Sequence, residues 1–113
     1  MLIAEHGGLP GIRDKGLLDS ALARPRQQAA YGKKNSVFQL AAAYSYGLAR
    51  NHPFADGNKR IALTVAAVFL DINGYSLNAP EAEAVIIYQQ LADGRLTEEA
   101  LAEWLRESSF LDS

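Results

Sequence analysis

The sequence predicts an all-α domain, and three observations carry that expectation. Apolar residues recur at helical spacing in successive segments, each bounded by a capping or breaking residue. No alternating strand pattern runs longer than four residues. One segment, Ile61 to Ile72, is apolar on nearly every face, the pattern of a helix enclosed by others.

The elements follow in chain order. A short helix from Met1 is closed by Gly7-Gly8, and the stretch Leu9 to Lys15, with Pro10 and Gly11, reads as an irregular loop. Asp14 is placed to cap a helix over Gly16–Gln28, which carries Leu17, Leu18, Ala21 and Leu22 and which Pro25 should end or bend. Tyr31 to Asn35, YGKKN, reads as an exposed loop. Ser36 then caps a helix with the stripe Val37, Leu40, Ala41, Tyr44 and Leu48. Asn51, Pro53 and Gly57 interrupt the chain before a helix from Asn58 to Ile72, closed by Asn73-Gly74. At about 1.5 Å per residue that helix is roughly 22 Å long, and its all-round apolarity makes it the expected core axis. Pro80 opens a helix carrying Ala82, Val85, Ile86 and Leu91, which Gly94 closes. Thr97 caps the last helix, where Glu98 and Glu99 complement the dipole and Leu101, Trp104 and Leu105 face inward.

A chain of 113 residues, 49% hydrophobic and 21% charged, fits one soluble globular domain over residues 1–113. The absence of cysteine removes disulfides, thiolate catalysis and Cys-ligated zinc. With only His6 and His52, an HExxH zinc site cannot be assembled. A net charge of −2 lacks the general basic field of a nucleic-acid binder, so no direct nucleic-acid binding is expected. There is no long uncharged apolar stretch and no signal peptide, so a cytoplasmic protein with no membrane association is expected.

One stretch departs from amphipathic routine: Asn51-His52-Pro53-Phe54-Ala55-Asp56-Gly57-Asn58-Lys59-Arg60, directly before the most apolar helix. Charges crowded at the end of a buried helix are costly unless something uses them. The first N–H groups of a helix lack intrahelical partners and sit at the positive end of its dipole. Gly57 admits a close backbone approach, Lys59 and Arg60 add positive charge, and together they describe a phosphate cradle. Asp56 suits Mg²⁺ held jointly with phosphate oxygens, and His52 suits proton acceptance near neutral pH. A base, a metal carboxylate and a cradle describe phosphoryl or nucleotidyl transfer. Each member also has a plainer reading: His52 as a surface residue, Asp56 as an N-cap, Lys59 and Arg60 as a solvated face, Phe54 as a core anchor, Gly57-Asn58 as a turn. No single structural role needs all seven.

HPFADGNKR resembles the signature of the Fic/Doc (Fido) superfamily: His-Pro-Phe, two residues including an acid, Gly-Asn, then Gly or Lys, then Arg. The opening GGLPGIRDKGLLDSALARP, Arg50 two residues before the histidine, and the run to FLDINGY resemble its Doc branch, the death-on-curing toxins, across nearly the whole chain. The resemblance implies a compact Fido helical bundle around a buried central helix that follows the motif. It implies His52 as general base toward a target hydroxyl and Asp56 as the acid of the metal and phosphate site. Gly57 and Asn58 match the anion-hole backbone and its supporting amide, Lys59 and Arg60 the phosphate grips, and Arg50 a further basic position of the Doc branch. By sequence alone Arg50 is equally a helix C-terminal cation. The YGKKN loop falls where the family places its target-aligning flap.

Departures select the expected reaction. AMP-transferring Fic proteins have glycine where Lys59 stands and a second arginine where this chain has Leu63, and leucine makes no charge-assisted bond. Lysine at that position is a Doc feature, whereas Gly57, alanine in Doc, leans toward Fic. The resemblance thus implies an ATP- and Mg²⁺-dependent kinase that phosphorylates a threonine of elongation factor Tu and arrests translation. AMP transfer to a protein hydroxyl is the alternative, and a non-catalytic partner-binding Fido domain the third reading. Only six residues precede Gly7-Gly8, fewer than in related proteins, which suggests truncation at the N-terminus. The self-inhibitory motif of many Fic proteins is missing, so restraint is expected from a Phd-like antitoxin that lays a segment into a groove.

Overall fold

The computed structural model describes residues 11–31 and 36–112, so the expected helix from Met1 and most of the YGKKN loop lie outside the described residues. Five helices and two short strands follow one another: α1 (Lys15–Tyr31), α2 (Val37–Asn51), α3 (Asn58–Ile72), β1 (Tyr75–Leu77), α4 (Glu81–Ala92), α5 (Glu98–Glu107) and β2 (Ser109–Leu111). The class is all-α, as expected.

Local chemistry sets most helix starts. Asp14 Oδ1 accepts the Leu17 N–H at 3.0 Å, and Thr97 accepts that of Ala100 at 3.0 Å. Ser36 and Gln39 form a reciprocal capping box at the head of α2. α3 spans the expected residues, and Gly74, at φ 89°, takes the left-handed turn that leads the chain away from it.

Pro25 neither ends nor interrupts α1, which continues to Tyr31. Tertiary grips on both sides of the proline hold the turn: Arg24 is ion-paired with Glu98 of α5, and Gln28 Nε2 donates to the same carboxylate at 3.2 Å.

The core axis also differs from expectation. α2, not α3, packs against all four other helices, and it buries Ala41, Ala42, Ala43, Ser45, Gly47, Leu48 and Ala49. Its small side chains let neighbouring backbones approach closely. A Cβ added at Gly47 would stand 3.0 Å from the Ala21 Cα of α1. Gly47→Val is therefore expected to lower stability by about 1–3 kcal/mol, read as a lower denaturation midpoint. An unchanged midpoint would contradict this packing.

α3 buries only Ala62, Ala66 and Leu70, whereas Val68 and Ile72 are 51% and 77% exposed. Leu63, Ala67 and Val68 of this second apolar face form one wall of a groove, while Ile72 lies outside it. A sequence apolar all round does not distinguish a packed face from a cleft wall. α4 likewise turns inward Ala84, Tyr88 and Leu91, at i, i+4 and i+7, while Ala82, Val85 and Ile86 are exposed. The phenol of Tyr88 has a buried partner: Ser45 Oγ donates to the Ala62 carbonyl at 2.6 Å, which leaves Tyr88 to donate to Ser45 Oγ at 2.7 Å. Burial pushes the Tyr88 phenol up from its ordinary value, partly opposed by the Ser45 hydrogen bond.

β1 and β2 pair antiparallel, with Ser76 opposite Phe110. At three residues each, they lie below the length at which alternation can be read. The pair fastens the chain after α5 to the exit of α3, where the Asp112 N–H donates to the Gly74 carbonyl at 2.8 Å.

Candidate active site

A groove of about 900 Å³ runs between α3 and α4 and opens at the N-terminus of α3. That end gathers His52, Asp56, Gly57, Asn58, Lys59 and Arg60. Its walls carry Leu63, Ala67 and Val68 from α3, facing Glu81 and Val85 of α4.

His52 terminates α2 in the left-handed region, at φ 50° and ψ 54°, with its side chain exposed to the groove. Pro53, fully buried, turns the chain, and Phe54 packs against the core. Asn58 then folds back on this turn: its Oδ1 accepts the Phe54 N–H at 2.9 Å, and its Nδ2 donates to the Phe54 carbonyl at 3.0 Å. The side-chain amide of Asn58 thereby braces the loop.

Two helices, α3 and α4, start without a side-chain cap. α1, α2 and α5 start under side-chain caps, whereas Gly57 precedes α3 with no side-chain cap. Asp56 is thus not the N-cap; its Oδ1 accepts the Gly57 N–H at 2.8 Å. The first intrahelical bond runs from the Ile61 N–H to the Gly57 carbonyl at 2.9 Å. The N–H groups of Asn58, Lys59 and Arg60 consequently find no acceptor among the described residues, at the positive end of the dipole. Lys59 and Arg60 are exposed and carry no ion pair among the described residues. Gly57, at φ 75°, adopts a conformation that side chains disfavour, and the position its Cβ would take is open space. An anion entering here meets free donors, two cations and no steric obstacle.

Among the described residues, no three acidic or histidine side chains cluster to hold a metal. Asp56 has one carboxylate oxygen unengaged by Gly57. A single carboxylate beside free N–H donors and two cations would fit Mg²⁺ brought in with a phosphate, since that ion takes one or two protein carboxylates and keeps several waters.

Arg50 is not among the groove-lining residues. Its guanidinium lies 5.8 Å from the centre of the Tyr46 ring and packs against Gly94, where an added Cβ would meet Nη1 at 2.7 Å. The flap assignment for YGKKN lies outside the described residues, apart from the backbone of Tyr31 at the end of α1.

Sequence reasoning missed Arg13 and Asn51. Arg13, 39 residues from the histidine, donates from Nε to the His52 carbonyl at 2.9 Å. The Asn51 side chain donates to the Leu17 carbonyl at 3.0 Å. The segment before α1, read as irregular, also forms an antiparallel bridge from Ile12 to Phe54. No periodicity announces such contacts. Arg13 stands beside Asp14 in the sequence, so nothing there singles it out as a cation in need of a distant partner.

Among the described residues, no helix is long and apolar enough to cross a membrane. The family profile described as Fic/DOC family matches residues 1–70. The chain is similar to "Protein kinase doc" of Escherichia phage P1, 34% identical over 105 residues that cover 92% of this chain and 82% of that protein. It is also similar to "Toxin Doc" of Mycolicibacterium smegmatis, 49% identical over 75 residues that cover 65% of this chain and 57% of that protein.

Proposed function

Because the chain belongs to the Fic/DOC family, we propose that it is a Doc-type toxin that transfers the γ-phosphate of ATP to a protein hydroxyl. The observation that carries this reading is the uncapped head of α3, with Lys59 and Arg60 beside it and His52 and Asp56 in the same groove. In this reading the free N–H groups and the two cations hold phosphate oxygens. His52 accepts the proton of the attacking hydroxyl. Asp56 is the residue that would hold Mg²⁺, which when bound neutralises phosphate charge.

Leu63 supports phosphoryl over AMP transfer. It lines the groove where AMP-transferring relatives of the superfamily carry a second arginine, so an apolar side chain faces the nucleotide's expected position. The similarity to a protein named as a kinase points the same way. The expected target is a threonine of elongation factor Tu, whose modification would arrest translation in the cytoplasm. A Phd-like antitoxin is the expected restraint, with the apolar walls of the groove as its seat.

The test incubates the protein with elongation factor Tu, ATP and Mg²⁺ and measures the target's mass. A gain of about 80 Da, one phosphoryl group, supports the proposal. A gain of about 329 Da, one adenylyl group, replaces it with AMP transfer. An unmodified target together with an absence of ATP binding would favour the non-catalytic reading.

A further inference from the structure

His52 is the only non-glycine residue with positive φ among the described residues. Two local preferences oppose that conformation. A side chain with a Cβ is disfavoured in the left-handed region. A residue preceding proline is steered toward extended backbone, and His52 precedes Pro53. α2 also ends here, so the carbonyls of Asn51 and His52 lie at the negative end of its dipole without helical partners.

Arg13 answers all of these demands from outside the helix. Both its Nε and its Nη2 donate to the His52 carbonyl, the former at 2.9 Å, and Nη2 also donates to the Asn51 carbonyl at 3.3 Å. The backbone around it adds further grip. The N–H groups of Arg13 and Asp14 donate to the Pro53 carbonyl at 2.7 and 3.1 Å, and that of Ala55 donates to the Gly11 carbonyl at 2.8 Å. The His52–Phe54 turn is thus clamped from one side by Asn58 and from the other by Arg13. Arg13 itself does not line the groove.

We infer that Arg13 is a positioning residue whose guanidinium fork fixes the His52 peptide in the left-handed turn that presents the imidazole to the groove. The inference rests on the proposed role of His52 as the base, while the clamp itself can be tested without that role. A planar fork reaches two carbonyls at once with a permanent charge, whereas a lysine ammonium offers a single point charge. Arg13 acts through the backbone of His52 and touches no reacting atom.

The experiment compares the intact protein with Arg13→Gln and Arg13→Lys by three readouts: ATP affinity, initial rate on the target, and the ring NMR signal of His52, identified by its loss in His52→Ala. Expected for Arg13→Gln is ATP affinity near that of the unaltered protein, turnover lower by about 100-fold, as for a misplaced reacting group, and a shifted or split His52 signal. Arg13→Lys should fall between the two on both rate and signal. An Arg13→Gln protein with unaltered rate and unaltered His52 signal overturns the inference. A loss of ATP affinity that accounts for the whole rate change also overturns it, since Arg13 would then act on the nucleotide. So does full recovery by lysine, which would make charge alone sufficient. Should Arg13→Gln fail to fold, the lysine variant's His52 signal decides. Should the unaltered protein transfer nothing, the proposed function fails while the His52 signal still decides the clamp: moved or split supports it, unchanged overturns it.

Discussion

His52→Ala is expected to abolish transfer, with turnover down by about 10²–10⁴-fold, while ATP remains bound. The turn that carries His52 is held by backbone contacts, from Arg13 to its carbonyl and from Asn58 to Phe54, so removing the ring leaves the turn clamped. The proposed phosphate cradle begins at Gly57 and makes no use of the imidazole. Alanine at φ 50° keeps the strain of roughly 1 kcal/mol that any Cβ meets in the left-handed region. His52→Asn, which tolerates the left-handed region better, separates that strain from the chemistry, and both variants should be inactive. ATP titration beside initial rates makes the measurement. Loss of ATP affinity in both variants would assign the ring to nucleotide binding and remove it from proton transfer.

The largest effect on stability is expected from Ala66→Asp. Ala66 is fully buried on the face of α3, within a cluster of apolar side chains. An unpaired buried charge costs about 3–5 kcal/mol, a large part of the 5–15 kcal/mol typical of a domain. The variant should lose its cooperative thermal transition or melt far below the unaltered protein. By contrast Val68→Asp, two residues on and 51% exposed in the groove wall, should melt near the unaltered protein. If the two variants melted alike, the division of α3 into a packed face and a groove face would be wrong.

What the sequence revealed and what it concealed divide by range of interaction. Caps depend on a residue and the N–H three positions later, so Asp14, Ser36 and Thr97 were readable, as were the limits of α3 between Gly57 and Asn73. The crowding of His52, Asp56, Asn58, Lys59 and Arg60 was readable for the same reason: it lies within one turn and one loop. Long-range compensation was not. Pro25 breaks an isolated helix, and only the grips of Arg24 and Gln28 on Glu98, some seventy residues on, explain its place inside α1. Hydropathy could not distinguish the groove wall of α3 from its core face, because both must be apolar. Tyr88 escaped the reading of α4 because its inward position depends on a hydroxyl partner, Ser45, in another helix.

The small-residue seam along α2 has a consequence for how this protein can be probed by mutagenesis. Among the described residues, nine of the fifteen buried hydrophobic positions are already alanine, including Ala41, Ala42, Ala43 and Ala49 on α2 and their neighbour Ala62 on α3. An alanine scan, which detects importance by truncation, passes over these positions in silence. At these alanines the molecule is vulnerable in one direction only, to added volume. A saturation library would therefore show a map in which the most intolerant sites are those where truncation registers nothing, running along the line where α2 meets α1 and α3.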